Sequence, residues 1–212
     1  MQFFVFISLL TWLARGTNMD GLPRGILIRR QLPDNYTEST IEWNLPVTEG
    51  GSNYTFYGTV QEVFAKINEI RVQQGLEPHP DPLSTSTEVT YLTDSSSLSR
   101  RVYTNTICNV GLSAAAPTER IEEGIIYLEN IKGTCTNGPG PGNCGRISCS
   151  YNSAIYWCND NPYPFTQDCS RFAAYAAEAE GTCSYNTSKG AYVRGQAFDS
   201  ASFNVMVGYD KC

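Results

Sequence analysis

The stretch RISCSYNSAIYWCND, residues 146–160, places Ile147, Cys149, Tyr151, Ile155 and Trp157 all on odd positions. Side chains alternate faces along a strand, so a single parity means a single buried face. One long strand satisfies that pattern, and so does a hairpin with a three-residue loop. A two-residue loop would turn the apolar set of one arm to the wrong side. The centre of this chain is therefore read as sheet, with cysteines built into it.

The elements on either side supply what such a sheet needs to cover it. Upstream, NGPGPGNCG (137–145) is a turn: its two prolines remove the amide donors a phosphate cradle requires, and no Lys-Ser or Lys-Thr follows. Before it, PTERIEEGIIYLENIKG (117–133) sets Ile121, Ile125, Leu128 and Ile131 on one stripe, with Thr118 as the expected cap and Gly133 beyond the end. Downstream, QDCSRFAAYAAEAEG (167–181) predicts a second helix with Phe172, Ala176 and Ala179 on one side and Gly181 as its stop. The chain closes with AYVRGQAF and SFNVMVGY, a hairpin joined around Asp199–Ser200, and Cys212 pins the last strand.

Eight cysteines fall at 108, 135, 144, 149, 158, 169, 183 and 212. An even count in an exported chain predicts four disulfides. Connectivity stays open, except that a helix between Cys169 and Cys183 would hold them roughly 20 Å apart, beyond the ~7 Å reach of a bridge. Zinc is disfavoured, because no Cys-x-x-Cys pair occurs and the only histidine, His79, lies outside the cysteine region. No cofactor is expected.

Export is read from the other end. FFVFISLLTWL (3–13) is an apolar run too short to span a bilayer, with Ala14 and Gly16 at the positions signal peptidase reads. Residues 1–16 are thus expected to be a signal peptide, and 17–30 a short propeptide ending in the dibasic pair Arg29-Arg30. No later segment is apolar enough for stable membrane insertion. Net charge is −6 without a basic cluster, which argues against a nucleic-acid partner. Asn35, Asn53 and Asn186 head glycosylation sequons.

A second dibasic pair, Arg100-Arg101, stands in DSSSLSRRVYTNTIC (94–108), and every cysteine lies beyond it. The chain thus divides into a cysteine-free α+β segment, 31–101, and a cysteine-rich part, 102–212, with Arg30 and Arg101 as candidate processing sites. The first part is not a mere spacer. TVQEVFAKINEIRVQQGLEP (59–78) carries a capping box from Thr59 to Glu62, apolar residues at helical spacing, and Gly75 and Pro78 as a stop. STIEWNLPV, YTFYG and TEVTYL read as strands. This unit either folds alone as a pro-segment or packs its apolar face on the cysteine-rich part, where it would act as an intramolecular cover.

The cysteine-rich part holds no histidine, which removes Ser-His and Cys-His nucleophile pairs. Asp160, Asp168, Asp199 and Asp210 sit near element ends, where a hydrolase acting on carbohydrate could keep a carboxylate pair; they are also the residue types that cap helices and head turns. Glu119, Glu122 and Glu123 suit the first turn of a helix by charge alone. A possible partner surface gathers Trp157, Asn159, Asp160, Asn161 and Tyr163 in WCNDNPYPF, with Phe165 beside them and Arg194 near Gly195. The same aromatics could equally pack inward.

NGPGPGNCGRISCSYNSAIYWCND, a helix, and VRGQAFDSASFNVMVGYDKC together resemble a family of small secreted fungal proteins counted as candidate effectors, over about Cys108 to Cys212 and more loosely over YTFYGTVQEVFAKI. A more distant likeness, carried by the element order and by RGQ, NVMV and the final cysteine, is to the calcium-channel-blocking killer toxins of fungal viruses. That likeness implies a disulfide-stabilised α/β sandwich, an antiparallel sheet with two helices. With no histidine in the cysteine-rich part and no recognisable catalytic motif, no enzyme activity is expected, and the expected partner is an extracellular or host protein or glycan.

Overall fold

A computed structural model describes residues 32–85 and 103–212. Gly16, Arg30, Arg101 and the TEVTYL stretch lie outside them. The fold is mixed α+β. Before the gap come β1 (Thr37–Ser39), β2 (Glu42–Pro46), β3 (Asn53–Tyr57), α1 (Val60–Gln73) and the single turn α2 (Pro82–Thr85). After it come β4 (Tyr103–Cys108), β5 (Ala116–Pro117), α3 (Thr118–Glu129), β6 (Thr134–Asn137), β7 (Asn143–Ser150), β8 (Ser153–Asn159) and β9 (Phe165–Asp168). The chain finishes with α4 (Arg171–Cys183), β10 (Ser184–Thr187), β11 (Gly190–Val193), β12 (Gly195–Asp199) and β13 (Phe203–Tyr209).

The main sheet runs β1-β7-β8-β13-β12-β4, a second runs β3-β2-β6-β9, and a third β10-β11-β5. The main sheet is not wholly antiparallel, since β1 joins its edge parallel to β7. STIEWNLPV is likewise two strands, not one: the chain leaves the main sheet after Ser39 and enters the second sheet at Glu42. Ile41, fully buried between them, sits over Gly145 so closely that a side chain at Gly145 would collide with it.

These pairings answer the question of the two parts. β2 pairs antiparallel with β6, β1 pairs with β7, and α1 packs on α3 and β7. One core contains Trp43, Leu45, Val60 and Ile67 from before the gap, together with Ile121, Leu128, Trp157 and Phe172 from after it. The boundary drawn at residue 101 therefore separates no cores, because the apolar faces of β2 and α1 have no covering of their own and are buried against the cysteine-rich part. Such burial is worth about 1.5–3 kcal/mol for each large apolar side chain.

The central hairpin keeps Ile147, Ile155 and Trp157 in the main core, but it puts Cys149 on the other face with Ala154, Tyr156 and Cys158 and leaves Tyr151 exposed, so the odd positions do not share one face. Its loop has two residues, Tyr151 and Asn152, both at positive φ (49° and 59°), as a tight primed turn requires. The flip this would impose is undone by a bulge: Arg146 faces Tyr156, but Ser148 faces Ile155, so Ile147 is the extra residue. Gln61 of α1 then reaches the bulged strand, donating to Ser148 Oγ (2.7 Å) and accepting from the Cys149 amide (3.3 Å).

The helix ends differ in two places from their sequence reading. Thr118 is the first residue of α3, not its cap; Pro117 precedes it, held in the β5–β11 pairing, and the Thr118 hydroxyl donates to Ala191 O. Helix α4 passes through Gly181 to Cys183, where Cys108 ties it to the edge strand β4. Thr59 and Glu62 do form the full capping box on α1, and the Thr59 amide, together with its hydroxyl, holds the Glu62 carboxyl below the usual range.

All eight cysteines are paired, as Cys108–Cys183, Cys135–Cys169, Cys144–Cys158 and Cys149–Cys212. Cys169 lies just before α4 and Cys183 at its end, so each has a partner elsewhere, as the helix length demands.

Candidate binding cleft

The residues of the expected partner surface do not share a surface. Trp157 is fully buried and stacks on Phe172 with ring centroids 4.1 Å apart. Asn159 is buried and donates to the carbonyls of Gly138 and Tyr163, while Asn161 donates to Ala201 O and Ser202 O. These two asparagines tie three connections together, the β6–β7 turn, the β8–β9 loop and the β12–β13 turn, by satisfying their backbone carbonyls, which is their physical reason for being there. Tyr163 alone is well exposed, at 56%. Arg194 lies half-buried between β11 and β12, its carbonyl accepting from the Asn109 amide.

Two of the four aspartates do line one open depression of about 420 Å³, shared by Asp160 and Asp199 with Thr104, Phe198 and Ser202. Every oxygen of both carboxylates is engaged. Asp160 accepts from the Gly142 amide (3.0 Å) and Asn204 Nδ2 (2.8 Å). Asp199 accepts from the Ala201 amide (2.6 Å), from Arg171 (3.2 Å) and from the Tyr175 hydroxyl. Burial and the Asp199 contact push the Tyr175 phenol up to about 12, so it serves as a donor throughout the physiological range. Asp210 is held in the same way by Arg146 and Tyr156. Asp168 ends β9 opposite Thr134. Asp160, Asp199 and Asp210 thus anchor turns and strand ends, whereas Asp168 is exposed.

The larger concavity was not visible in the sequence. It is a cleft of about 460 Å³ at the junction of the two parts. Val47, Ile67 and Ile131, all buried, form its apolar floor, and Phe64, Pro80 and Pro82 extend the apolar wall. Its polar members are Thr48, Glu49, His79, Asn130 and Lys132.

Three elements shape it. Arg71 near the end of α1 donates to Val47 O (2.9 Å) and Glu77 O (2.8 Å), fixing the β2 end and the chain beyond α1. Asn68 receives the His79 amide (2.8 Å) and donates to its carbonyl (3.1 Å), so the backbone of residue 79 is clamped while its ring stays on the cleft, 6.4 Å from Phe64. Tyr127 of α3 donates to Asp81 (3.0 Å), tying the same stretch to the cysteine-rich part. The imidazole is held below its ordinary pKa by burial first and then by the Arg71 and Lys132 charges. Its neutral form is therefore favoured near pH 7.

The three sequon asparagines, Asn35, Asn53 and Asn186, are all exposed. Among the described residues no group of His, Cys, Asp and Glu could hold a metal ion, and no helix is long and apolar enough to cross a membrane. No family model, no curated protein and no solved structure matches the chain.

Proposed function

We propose that the chain is an exported, disulfide-stabilised interaction protein, effector-like or killer-toxin-like, that acts by binding an extracellular or host protein or glycan and not by catalysis. The four disulfides carry this reading. Eight cysteines joined in pairs fit an oxidising, extracellular setting, and they stiffen a fold that has to persist there. In this reading residues 1–16 direct export, Arg30 is a processing site, and the exposed sequon asparagines are glycosylated. The helices α3 and α4, which pack on each other and on the strands of the main sheet, are compatible with the two-helix sandwich that the killer-toxin likeness implies. The segment before the gap is a permanent cover of the cysteine-rich part.

Two experiments test it. Intact mass of the protein recovered from its producer's medium, after deglycosylation, is expected to lack the leader and eight hydrogens; free thiols or retention inside cells would overturn export. The purified chain, fluorescently labelled, is expected to bind cells or wall material of a recipient organism saturably and to release no product from them. Turnover of a glycan substrate that Asp160→Asn abolishes would replace this reading with a carboxylate hydrolase.

A further inference from the structure

A sheet ends in strands whose outer backbone groups have no neighbour, and an unprotected edge is a template for a second chain. Among the described residues the three sheets have six such edges, β1 and β4, β3 and β9, β10 and β5. Four of them carry an ordinary safeguard. β1 is three residues long and includes exposed Glu38, β9 ends on exposed Asp168, and β5 is two residues with Pro117. β4 is bulged, since Phe198 faces Asn105 and Asp199 faces Tyr103, which leaves Thr104 as the extra residue. Its last residue is also bonded to α4 through Cys108–Cys183.

β3 and β10 have none of these. NYTFY and SYNT contain no charge and no proline, and their registers run unbroken against β2 and β11. Both are rich in tyrosine and threonine, which favour strands, and Tyr54, Tyr57 and Tyr185 stand in solvent. Lys66 reaches one carbonyl at the end of β3, Tyr57 O (3.1 Å), while Asn53, Tyr54 and Thr55 at the other end are exposed. Every residue of β10 is exposed.

These two strands are also the ones with a sequon asparagine inside the strand itself. Asn53 is the first residue of β3 and Asn186 the third of β10, both exposed, whereas Asn35 lies ahead of β1. A glycan is bulky and solubilising. Attached to an edge strand, it fills the space in which a second strand would lie. The edges without charge, proline or bulge therefore coincide with the edges that carry a glycan acceptor.

We infer that β3 and β10 are self-association edges, each complementary to the same edge of a second copy of this chain, and that N-glycans at Asn53 and Asn186 keep the copies apart. Identical edges related by a twofold axis pair antiparallel, in a self-complementary contact. The inference rests on the glycosylated export proposed above, and its test reads the two separately.

The chain is secreted from a eukaryotic host, and peptide mass establishes which sequons are loaded. Light scattering on size-exclusion chromatography then follows the native protein over a concentration series. Substitution is used in place of enzymatic deglycosylation, which would leave an aspartate, and so a charge, on each edge. The loaded chain is expected to stay monomeric. Asn53→Gln and Asn186→Gln are each expected to dimerise, and the double variant to form larger assemblies, because two different self-complementary edges link copies in an open row. Asn53→Lys and Asn186→Lys lose the same glycans but place a charge on the edge, so they are expected to stay monomeric with the melting temperature of the Gln variants. Asn35→Gln, off the strand, should stay monomeric too.

Monomeric Gln variants from a parent loaded at both positions would overturn the inference. So would equal association of the Gln and Lys variants, or association of Asn35→Gln to the same extent. Asn35 loaded with Asn53 and Asn186 bare would overturn it and leave the glycosylated export standing, whereas a secreted product with no glycan at all would overturn both.

Discussion

Trp43 lies directly opposite Cys135 in the antiparallel β2–β6 ladder. One belongs to the stretch without cysteines, and the other is bonded to Cys169. Each disulfide joins two cysteines at position 108 or beyond, so no covalent link other than the chain itself crosses the segment 86–102. A chain cut after Arg101 is therefore expected to migrate as one species on native size-exclusion chromatography. It should come apart in denaturant even without reductant. Separation of the pieces under native conditions would show that the shared core does not hold them.

The same junction should be sensitive to single changes. Trp43 is fully buried and its indole N–H donates to Gly58 O (2.9 Å), so Trp43→Ala removes a large apolar volume together with a hydrogen-bond donor. The expected loss is about 3–5 kcal/mol in a urea unfolding titration. Gly145→Val, which drives a side chain into Ile41, should lower the midpoint as well, although it deletes no contact. An unaltered midpoint in both variants would contradict the packing of β1 and β2 described above.

Asp199 joins three elements, accepting from Arg171 and Tyr175 of α4 and from the loop amide of Ala201 that closes the β12–β13 hairpin. Asp199→Ala leaves a half-buried guanidinium, which keeps Gln167, and a buried phenol without this carboxylate acceptor. Breaking such a pair from one side costs about 3–5 kcal/mol. Thermal unfolding of Asp199→Ala beside Asp160→Asn would check this, with the larger loss expected for Asp199→Ala.

Glu180 of α4 faces Glu122 of α3, and burial, followed by the Glu122 charge, pushes its carboxyl up to about 7 from an ordinary 4.5. The unfolded chain gives up that proton near 4.5 and the folded chain only near 7. The stability this group contributes is thus intact below the lower value and is lost as pH rises through the upper one. Glu180→Gln should raise the melting temperature above that of the native sequence at pH 8 and leave it unchanged at pH 4. An equal gain at both values would mean that Glu180 acts by packing and not by charge.

The sequons give a simpler expectation. Asn35 lies ahead of β1, Asn53 begins β3 and Asn186 sits on β10, all exposed. Passage through a eukaryotic secretory pathway should load each one, and enzymatic deglycosylation should convert three asparagines to aspartates, read by peptide mass. An unmodified site would identify a sequon that folding hides before transfer.

What could be read from residues alone was whatever depends on local periodicity. Helix α1 was legible from Thr59, Glu62 and the spacing of Val60, Val63 and Ile67, because a helix writes its buried face every three or four residues. The last hairpin was legible for the corresponding reason in strands, except that AYVRGQAF is two strands: Ala191–Val193 belongs to β11 in the third sheet, and only β12 pairs with β13. The central hairpin was misread because the bulge at Ile147 and the turn at Tyr151–Asn152 shift the parity by compensating amounts, so the alternation looks unbroken. Thr118 and Gly181 were taken for helix ends on residue type, and tertiary partners, Ala191 for the first and the Cys108–Cys183 bond beyond the second, moved those ends. The cleft left no sequence trace. Its residues come from 46–50, 64–82 and 130–132, and nothing local to any of them reveals that Lys132 will stand near His79.

The C-terminus carries its own consequence. Strand β13 lies inside the main sheet between β8 and β12, and three residues after it ends Cys212 is bonded to Cys149 on β7. A tension applied at the last residue does not peel β13 from the sheet like a zipper. It passes through the sulfur bridge into β7, which is bonded to β8 by a full antiparallel ladder and by Cys144–Cys158. The load is shared across two ladders and two covalent bridges, so a pull applied at Cys212 does not begin to unravel β13 there.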